Sequence, residues 1–221
     1  MYNGVYTPIV TPFDQNEGLD LGKMKHNLER WSASELEGLL VLGSNGEFPY
    51  ISKEEKLKLT GFVRENWKRT LLAGTGCHST AETIELTKEA AAAGADAVLV
   101  LPSFYYRGQM TDDVLEPHFK RVADASPVPV LVYNMPANTG INLSSSLVAK
   151  LSKHENITGV KDSSGNIVQI AETVRSSAPD FSVLAGSASF MLPSLAVGAA
   201  GAVAALGNAM PDACCRLYSL F

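Results

Sequence analysis

Short apolar runs recur along the chain, and the segments between them are long enough to hold a helix. The runs are rich in Val, Ile, Leu and Ala, which is typical of parallel strands that are buried on both faces. Eight such runs predict eight strands. They occupy residues 4–10, 38–43, 70–74, 97–101, 128–134, 157–161, 182–186 and 201–206.

The intervening segments have helical patterns and helix-end signals. Leu21, Met24, Leu28 and Trp31 are spaced to lie on one face of a helix. The segments "SKEE" (52–55) and "STAE" (79–82) have the Ser-x-x-Glu spacing of a capping box, which predicts a helix start at each. After "EAAAA", Gly94 is positioned to end a third helix.

Alternation of strands and helices without a long linker predicts a single (β/α)8 TIM barrel domain over residues 1–221. A doubly wound open sheet is the alternative, and both folds require parallel strands because helical crossovers join them. The last segment, "PDACCRLYSLF", begins like the eighth helix with Pro211 in its first turn. Since it stops at Phe221 without a C-cap, we expect a barrel truncated in or just after that helix, or a short last helix.

Charge and cysteine content exclude several classes of protein. The formal net charge is −5 and the lysines and arginines are scattered, so no nucleic-acid surface is expected. The cysteines Cys77, Cys214 and Cys215 form no C-x-x-C pair, so neither a disulfide framework nor a zinc ribbon is indicated. No cofactor is predicted, because "GTGCHS" (74–79) lacks the third glycine of a dinucleotide fingerprint and the histidines are dispersed.

One long uncharged segment, residues 181–211, passes the length test for a membrane helix. Glycines and a proline divide it into pieces the size of strands and short helices, so we expect no membrane association. The segment "MYNGVYTPIVTPFD" has no signal-peptide pattern. We therefore expect a cytoplasmic protein, or a mitochondrial matrix protein if a transit peptide has been removed.

The chemistry is expected where the strands end, because the active sites of such barrels lie at the carboxyl ends of the strands. Lys161 ends the sixth run and Tyr133 lies near the end of the fifth, while "GSNGE" (43–47) follows the second. A desolvated lysine can attack a carbonyl carbon and form a Schiff base. A neighbouring tyrosine can carry protons, and the amides of a Gly-Ser-Asn-Gly turn can hold a carboxylate. These parts describe a class I aldolase; alternatively, Lys161 merely pairs with a carboxylate such as Asp162.

Three motifs on three different strands, "GSNGE", "YNMPANTG" (133–140) and "GVKDSSGN" (159–166), resemble those of the dihydrodipicolinate synthase and N-acetylneuraminate lyase family of pyruvate aldolases. The resemblance covers essentially the whole chain and implies a (β/α)8 barrel. It makes Lys161 the Schiff-base lysine and Tyr133 the proton relay. It also assigns Ser44 and Asn45 to the pyruvate carboxylate.

The resemblance further implies that Tyr105 is lent across a dimer interface to a neighbouring subunit's relay, with Tyr106 as the competing assignment. It places Gly186 and Val203 among the substrate-binding residues. It implies a homodimer or homotetramer with a 2-oxo acid, pyruvate, as the small-molecule partner. Family members also continue into a C-terminal helical bundle, which the chain lacks.

Two departures from the synthase pattern bear on the substrate. Ser44 and Asn45 replace a threonine pair, and Asn138 replaces an arginine that binds aspartate semialdehyde. The motifs instead resemble those of 4-hydroxy-2-oxoglutarate aldolases, which release pyruvate and glyoxylate. In that case Ser163 and Asn45 are candidates to contact the substrate hydroxyl or distal carboxylate. A dihydrodipicolinate synthase, a sugar-acid (2-keto-3-deoxy) aldolase and a non-enzymatic binding protein are the alternatives.

Overall fold

The eight apolar runs form eight parallel strands that close into a barrel in sequence order, β1 to β8. The computed structural model describes all residues from Met1 to Phe221. The predicted barrel is therefore confirmed, and the open sheet is wrong. The strands are β1 (Gly4–Pro8), β2 (Gly38–Val41), β3 (Thr70–Gly74), β4 (Ala97–Val100), β5 (Val130–Asn134), β6 (Ile157–Asp162), β7 (Ser182–Ala185) and β8 (Gly201–Val203).

Helices connect the strands and surround the barrel. An additional single-turn helix follows β5; it begins at Pro136 and ends at Gly140, which has a left-handed φ of 68°. The helices are α1 (Leu21–Ser32), α2 (Lys53–Asn66), α3 (Thr80–Ala92), α4 (Asp112–Ala125), α5 (Pro136–Thr139), α6 (Ser145–Leu151), α7 (Ile167–Ser176), α8 (Met191–Ala196) and α9 (Pro211–Ser219).

The predicted helix ends are largely confirmed. Ser52 and Glu55 form a complete capping box at α2. At α3 the Ser79 hydroxyl accepts a hydrogen bond from the Glu82 backbone N–H, which is half of the predicted box. Gly94 adopts a left-handed φ of 104° and donates to Ala91, while the next residue donates to Ala90. This Schellman arrangement satisfies carbonyls that would otherwise be unpaired at the helix end.

Strand alternation separates the core into an inner and an outer layer. Nine buried apolar residues, among them Tyr6, Leu131, Tyr133, Leu184 and Val203, cluster together and fill the barrel. Two larger clusters pack the outward-facing strand residues against the helices. Residues of opposite parity on one strand therefore meet different surroundings.

The uncharged segment 181–211 contains β7, α8 and β8, separated by turns. No helix combines the length and apolar character that a membrane crossing requires. The helix predicted at Pro211 is α9, with that proline in its first turn.

Candidate active site

Lys161 is a buried cation inside the barrel, at the carboxyl end of β6. It is 3% exposed, and it lies beside Tyr133 in the β5–β6 register. Its Nζ lies 4.2 Å from the centroid of the Tyr133 ring. Burial lowers the pKa of Lys161 below its ordinary value, with a smaller opposing effect from Tyr133. The buried amine is thus held closer to its nucleophilic neutral form.

Asp162 does not pair with Lys161, so that alternative is wrong. Strand alternation directs Asp162 to the outer face of the barrel, where its carboxylate accepts from Asn134, Gln169 and Ser164. Lys161 takes part in no ion pair with any carboxylate. The phenol of the adjacent Tyr133 is the one group that favours the charged form of Lys161.

Tyr133 is 4% exposed and lines the main cavity. Burial alone raises the pKa of Tyr133, but the charge of Lys161 and the hydroxyl of Ser44 outweigh it, so the pKa lies below the ordinary value. The Ser163 hydroxyl also lies near enough to favour the phenolate, although it makes no well-formed hydrogen bond within the chain. The protonation states of Lys161 and Tyr133 are therefore coupled.

Ser44 comes to the site on a turn with unusual backbone geometry. Leu42 has a φ of 61° and Glu47 a φ of 57°. Residues other than glycine and asparagine rarely adopt this left-handed backbone conformation. Between Leu42 and Glu47, Ser44–Gly46 forms a 3-10 turn, and the Thr11 hydroxyl donates to the Gly46 carbonyl at 2.7 Å. This turn directs Ser44 into the cavity.

The cavity has a volume of about 660 Å³ and extends from the strand ends toward α2 and α3. Ser44, Tyr133 and Asn138 line it together with Lys56 and Cys77. The predicted residues of the second and fifth strand ends thus share one cavity. Asn45 is exposed and is not among its lining residues.

Ser163, Gly186 and Val203 lie at the ends of the next three strands. The Ser163 N–H donates to the Asn134 carbonyl at 2.8 Å, and the Gly186 N–H donates to the Asp162 carbonyl at 2.7 Å. A Cβ at Gly186 would lie 1.9 Å from Ser163 Oγ, so only glycine leaves room for that hydroxyl. Val203 is fully buried in the inner cluster that also contains Tyr133.

Tyr105 and Tyr106 lie on the loop after β4 and are 74% and 69% exposed. Tyr105 contacts His78 edge-on, with ring centroids 6.2 Å apart, and it does not line the cavity. Neither tyrosine is brought to Tyr133 within the single chain. The part that the resemblance gives to Tyr105 requires a second subunit and stays a prediction.

Two features of the site were missed by the sequence analysis. One is the pair of left-handed residues, Leu42 and Glu47, for which their residue types give no signal. The other is a polar network behind Lys161, formed by the buried Asn134, Asp162 and Gln169 and the exposed Asn142. Strand alignment could have indicated it, because Asn134 and Asp162 each follow a residue proposed for the site. No cluster of three or more metal-ligating side chains is present.

Comparison with known sequences places this geometry in a family. The sequence model of the dihydrodipicolinate synthetase family matches residues 1–221. The chain belongs to this family. Its members and relatives are lyases, and the protein is accordingly an enzyme of the lyase class.

Relatives within the dihydrodipicolinate synthetase family have different substrates. A probable mitochondrial 4-hydroxy-2-oxoglutarate aldolase of Emericella nidulans is 40% identical over 99% of this chain and 73% of its own length. A 4-hydroxy-tetrahydrodipicolinate synthase of Methanothrix thermoacetophila is 36% identical over 100% of this chain and 75% of its own. An L-threo-3-deoxy-hexylosonate aldolase of Hypocrea jecorina is 36% identical over 99% of this chain and 74% of its own length.

Solved structures of the family have the same barrel. A 4-hydroxy-tetrahydrodipicolinate synthase of Methylacidiphilum fumariolicum matches with a TM-score of 0.95 at 32% identity, over 100% of this chain and 73% of its own. A prophage protein of the family from E. coli K12, solved in complex with pyruvate, matches with a TM-score of 0.92 at 31% identity. The match covers 98% of this chain and 74% of that protein.

Proposed function

We propose that the protein is a Schiff-base-forming class I aldolase that cleaves a 4-hydroxy-2-oxo acid, with 4-hydroxy-2-oxoglutarate as the best candidate, into pyruvate and glyoxylate. The observation that carries this proposal is Lys161, a buried lysine without a carboxylate partner, 4.2 Å from the ring centroid of a buried tyrosine. Such a lysine has a lowered pKa and suits nucleophilic attack on a carbonyl.

The first stage is imine formation. The neutral Lys161 amine attacks the C2 carbonyl carbon of the substrate, and the resulting carbinolamine loses water to give a protonated imine. The departing oxygen must gain a proton, and we assign this proton to the Tyr133 hydroxyl because Tyr133 lies beside Lys161 across β5 and β6. Ser44, beside Tyr133, supplies a hydroxyl that favours the phenolate left behind.

The second stage is carbon–carbon cleavage. The C4 hydroxyl loses its proton to the Tyr133 phenolate, the C3–C4 bond breaks, and its electron pair moves into the protonated imine to give an enamine. Glyoxylate leaves as the aldehyde product. Protonation of the enamine at C3 and hydrolysis of the imine by water then release pyruvate and restore the Lys161 amine. One proton carrier beside the imine can serve each of these transfers.

The other predicted residues bind substrate in this proposal. Ser44 holds the carboxylate next to C2 through its hydroxyl and Asn45 through the backbone N–H of the turn, because the Asn45 side chain is exposed outside the cavity. Gly186 and Val203 line the pyruvate portion of the site. Ser163 is suited to contact the C4 hydroxyl, because its Oγ is buried and lacks a partner within the chain. A buried hydroxyl without a partner is unfavourable until a ligand supplies one.

The choice of substrate depends on Asn138, which lines the cavity and is neutral. Aspartate semialdehyde carries its carboxylate two carbons further from the aldehyde carbon than glyoxylate does, and arginine is the side chain best suited to bind a carboxylate at that distance. The name of the relative from Emericella nidulans supports the 4-hydroxy-2-oxoglutarate choice. Dihydrodipicolinate synthesis and sugar-acid cleavage remain the alternatives, and relatives named for such activities support each.

The proposal includes assembly into a homodimer or homotetramer. The exposed Tyr105, next to His78 and Tyr106, is free to reach a neighbouring subunit's site. The proposed location is the cytoplasm, or the mitochondrial matrix, which is supported by the word mitochondrial in the name of the Emericella nidulans relative.

Borohydride reduction in the presence of pyruvate tests the proposal. A single adduct on Lys161 is expected by intact mass and peptide mapping, and Lys161→Ala should abolish it. Lys56 is the matched competitor, because it lines the cavity and burial lowers its pKa as well. Lys56→Met should therefore leave the adduct in place. Labelling of any lysine other than Lys161 would show the assignment to be wrong.

An aldehyde panel then identifies the substrate. Glyoxylate, aspartate semialdehyde and small sugar aldehydes are each offered with pyruvate, and kcat/KM is compared in one preparation. Glyoxylate is expected to be preferred. Preference for the semialdehyde or for a sugar aldehyde would replace the proposed substrate by the corresponding alternative.

A further inference from the structure

A buried polar network lies directly behind the proposed catalytic residues. Tyr133, Lys161 and Ser163 face the inside of the barrel end, and each is followed in sequence by a residue that contributes to this network. The three followers are Asn134, Asp162 and Ser164. Because consecutive strand residues face opposite sides, one hydrogen-bonded unit on the outer face holds the backbone of all three inner residues.

The Asp162 carboxylate is the centre of the network. Its Oδ2 accepts from Asn134 Nδ2 at 2.9 Å and from Gln169 Nε2 at 3.3 Å. Its Oδ1 accepts from the Ser164 backbone N–H at 2.8 Å and from the Ser164 hydroxyl at 2.5 Å. Asp162 is 4% exposed and Asn134 is fully buried. One side chain therefore links the ends of β5 and β6, the loop after β6, and α7.

The network continues into the segment that follows α5, the short helix that carries Asn138. Asn134 Nδ2 also donates to Asn142 Oδ1 at 2.8 Å, and its Oδ1 accepts from the Leu143 N–H at 3.0 Å. Asn142 Nδ2 donates to Gln169 Oε1 at 2.7 Å. Both amide hydrogens of Asn134 thus have an acceptor. Asn134, Asp162 and Gln169 are buried, whereas Asn142 is exposed at the edge of the network. Among the three buried side chains, a single lost partner leaves a buried polar group unpaired.

The carboxylate has no cation partner, although a lysine precedes it in the chain. No ion pair includes Asp162. Burying a carboxylate without a cation is costly, and an apolar residue at this position would serve packing alone. Three of the four donated hydrogen bonds come from Asn134 and Ser164, which directly follow Tyr133 and Ser163 in the sequence, and the fourth comes from Gln169 on α7.

We propose that Asp162 and Asn134 are positioning residues that fix the mutual geometry of Lys161, Tyr133 and Ser163. This inference rests on the proposed Schiff-base function. Neither residue touches the substrate, and each acts through the backbone that it holds. Misplacement of reacting groups by about 1 Å can cost about 100-fold in rate, so loosening the network lowers the rate of imine formation more than it lowers affinity for pyruvate.

Asp162→Asn is the sharpest test, because it keeps the shape of the side chain and replaces one acceptor oxygen by an NH2 donor. In either orientation the introduced amide directs its N–H groups at an existing donor, Asn134 Nδ2 or the Ser164 N–H. The control is Asn156→Ala, at the opposite end of β6. It removes three hydrogen bonds from Asn156 Nδ2 to the carbonyls of Ala123, Ser126 and Val128, and so perturbs the same strand away from the site.

Two readouts separate positioning from stability. The first is the single-turnover rate of reductive trapping with saturating pyruvate, which should fall about 10-fold to 100-fold in Asp162→Asn and stay within about 2-fold of the unmodified rate in Asn156→Ala. The second is the pH profile of Lys161 labelling by an amine reagent, mapped by mass spectrometry. It should move to higher pH in Asp162→Asn only, because a loosened strand end admits water to Lys161.

The reversed double variant tests the pairing itself. In Asn134→Asp with Asp162→Asn, a carboxylate and an amide again face each other. Asn142 and Gln169 can follow by exchanging the O and N ends of their amides, with loss of the hydrogen bond from Gln169 Nε2 to the Leu143 carbonyl, so the recovery is partial. Trapping should recover at least about 3-fold over Asp162→Asn. Should Asp162→Asn fail to fold, Ser164→Ala, which removes one of the four bonds, should show the same changes at smaller size.

The outcomes are distinct from failure of the proposed function. If the unmodified protein forms no pyruvate adduct on Lys161, the Schiff-base proposal is wrong, and the labelling profile alone then decides the positioning role. Equal effects of Asp162→Asn and Asn156→Ala on both readouts would overturn the inference. So would a well-folded double variant that traps pyruvate no faster than Asp162→Asn.

Discussion

Lys161 Nζ lies 4.2 Å from the centroid of the Tyr133 ring, and the two residues lie side by side across β5 and β6. Neighbouring parallel strands bring them together without any loop, so their separation is set by the barrel itself. Rigid strands hold reacting groups more accurately than loops do. The relationship couples the charge states of the two side chains and leads to the first two predictions.

Lys161→Met should increase the stability of the protein in a pH-dependent way. The folded-state pKa of Lys161 is lowered by burial, so between that pKa and the unfolded value of about 10.4 the unfolded chain binds a proton that the folded chain does not. The free energy of unfolding of the unmodified protein therefore rises with pH through this window. Below the folded-state pKa both states bind the proton, so the folded protein bears the full cost of burying the charged amine. Methionine has a similar shape and no charge.

The measurement is chemical denaturation of both proteins at several pH values. The advantage of Lys161→Met should be largest at low pH and should shrink as the pH approaches about 10.4. In the unmodified protein the lowered pKa of Tyr133 also makes the stability rise with pH. Lys161→Met removes this effect, so the stability difference between the two proteins changes in the same direction. A stability difference that does not vary with pH would contradict the lowered pKa of Lys161.

Tyr133→Phe should lower turnover by about 100-fold or more, because the ring is kept and the proton carrier is removed. Steady-state kcat with the preferred aldehyde measures the effect. Tyr6→Phe is the matched control, since Tyr6 is a second interior tyrosine, 2% exposed, in the same cluster. Near-normal turnover in Tyr133→Phe would mean that water or another residue carries the proton.

The fold could be predicted because each local signal agrees with the barrel. All eight apolar runs became strands, and the Ser52 and Gly94 signals became helix ends. A fold can be predicted from the sequence when hydrophobic patterning and helix capping indicate the same elements. The short α5 was not predicted, because a four-residue helix within "PANT" offers no periodicity.

The site could be predicted only in part. Lys161 and Tyr133 could be named as candidates because a cation or phenol at the end of an apolar strand is unusual, and the structure places them side by side. The positions of Leu42 and Glu47 were not, because their left-handed backbone arises from the packing around the turn and not from their residue types. The hydrogen bonds among Asn134, Asn142 and Gln169 join distant segments and could not be assigned before the barrel brought them together.

Gly186→Ala should lower kcat by about 10-fold or more. The added Cβ would lie 1.9 Å from Ser163 Oγ and 2.8 Å from the Asp162 carbonyl, so Ser163 must move away from the site. Gly61→Ala is the control, because a Cβ at Gly61, inside α2, meets nothing within 4 Å. It should stabilise the protein by about 0.4–1 kcal/mol and leave kcat unchanged. Normal turnover in Gly186→Ala would remove Ser163 from the proposed site.

Asn138→Arg should shift preference from glyoxylate toward aspartate semialdehyde. Asn138 is exposed and lines the cavity near Tyr133, where an arginine can extend its planar fork toward a second carboxylate and make two charge-assisted hydrogen bonds. Such a contact is worth about 1.5–3 kcal/mol, or about 10-fold to 100-fold in affinity. The neutral amide of asparagine offers no net charge to offset desolvation of the carboxylate.

The informative quantity is the ratio of kcat/KM for the two aldehydes, measured in one preparation of each protein. A general loss of assembly or stability lowers both values together and leaves their ratio unchanged, so the ratio reports the contact at position 138 alone. Asn138→Asp is the matched control, because it keeps the shape and adds a negative charge. That charge should repel the distant carboxylate of the semialdehyde more than the carboxylate of glyoxylate, which is bonded directly to the aldehyde carbon, so the ratio should move the opposite way. If the unmodified protein already prefers the semialdehyde, the synthase activity replaces the proposed one. If Asn138→Arg and Asn138→Asp leave the ratio unchanged, position 138 does not select the aldehyde.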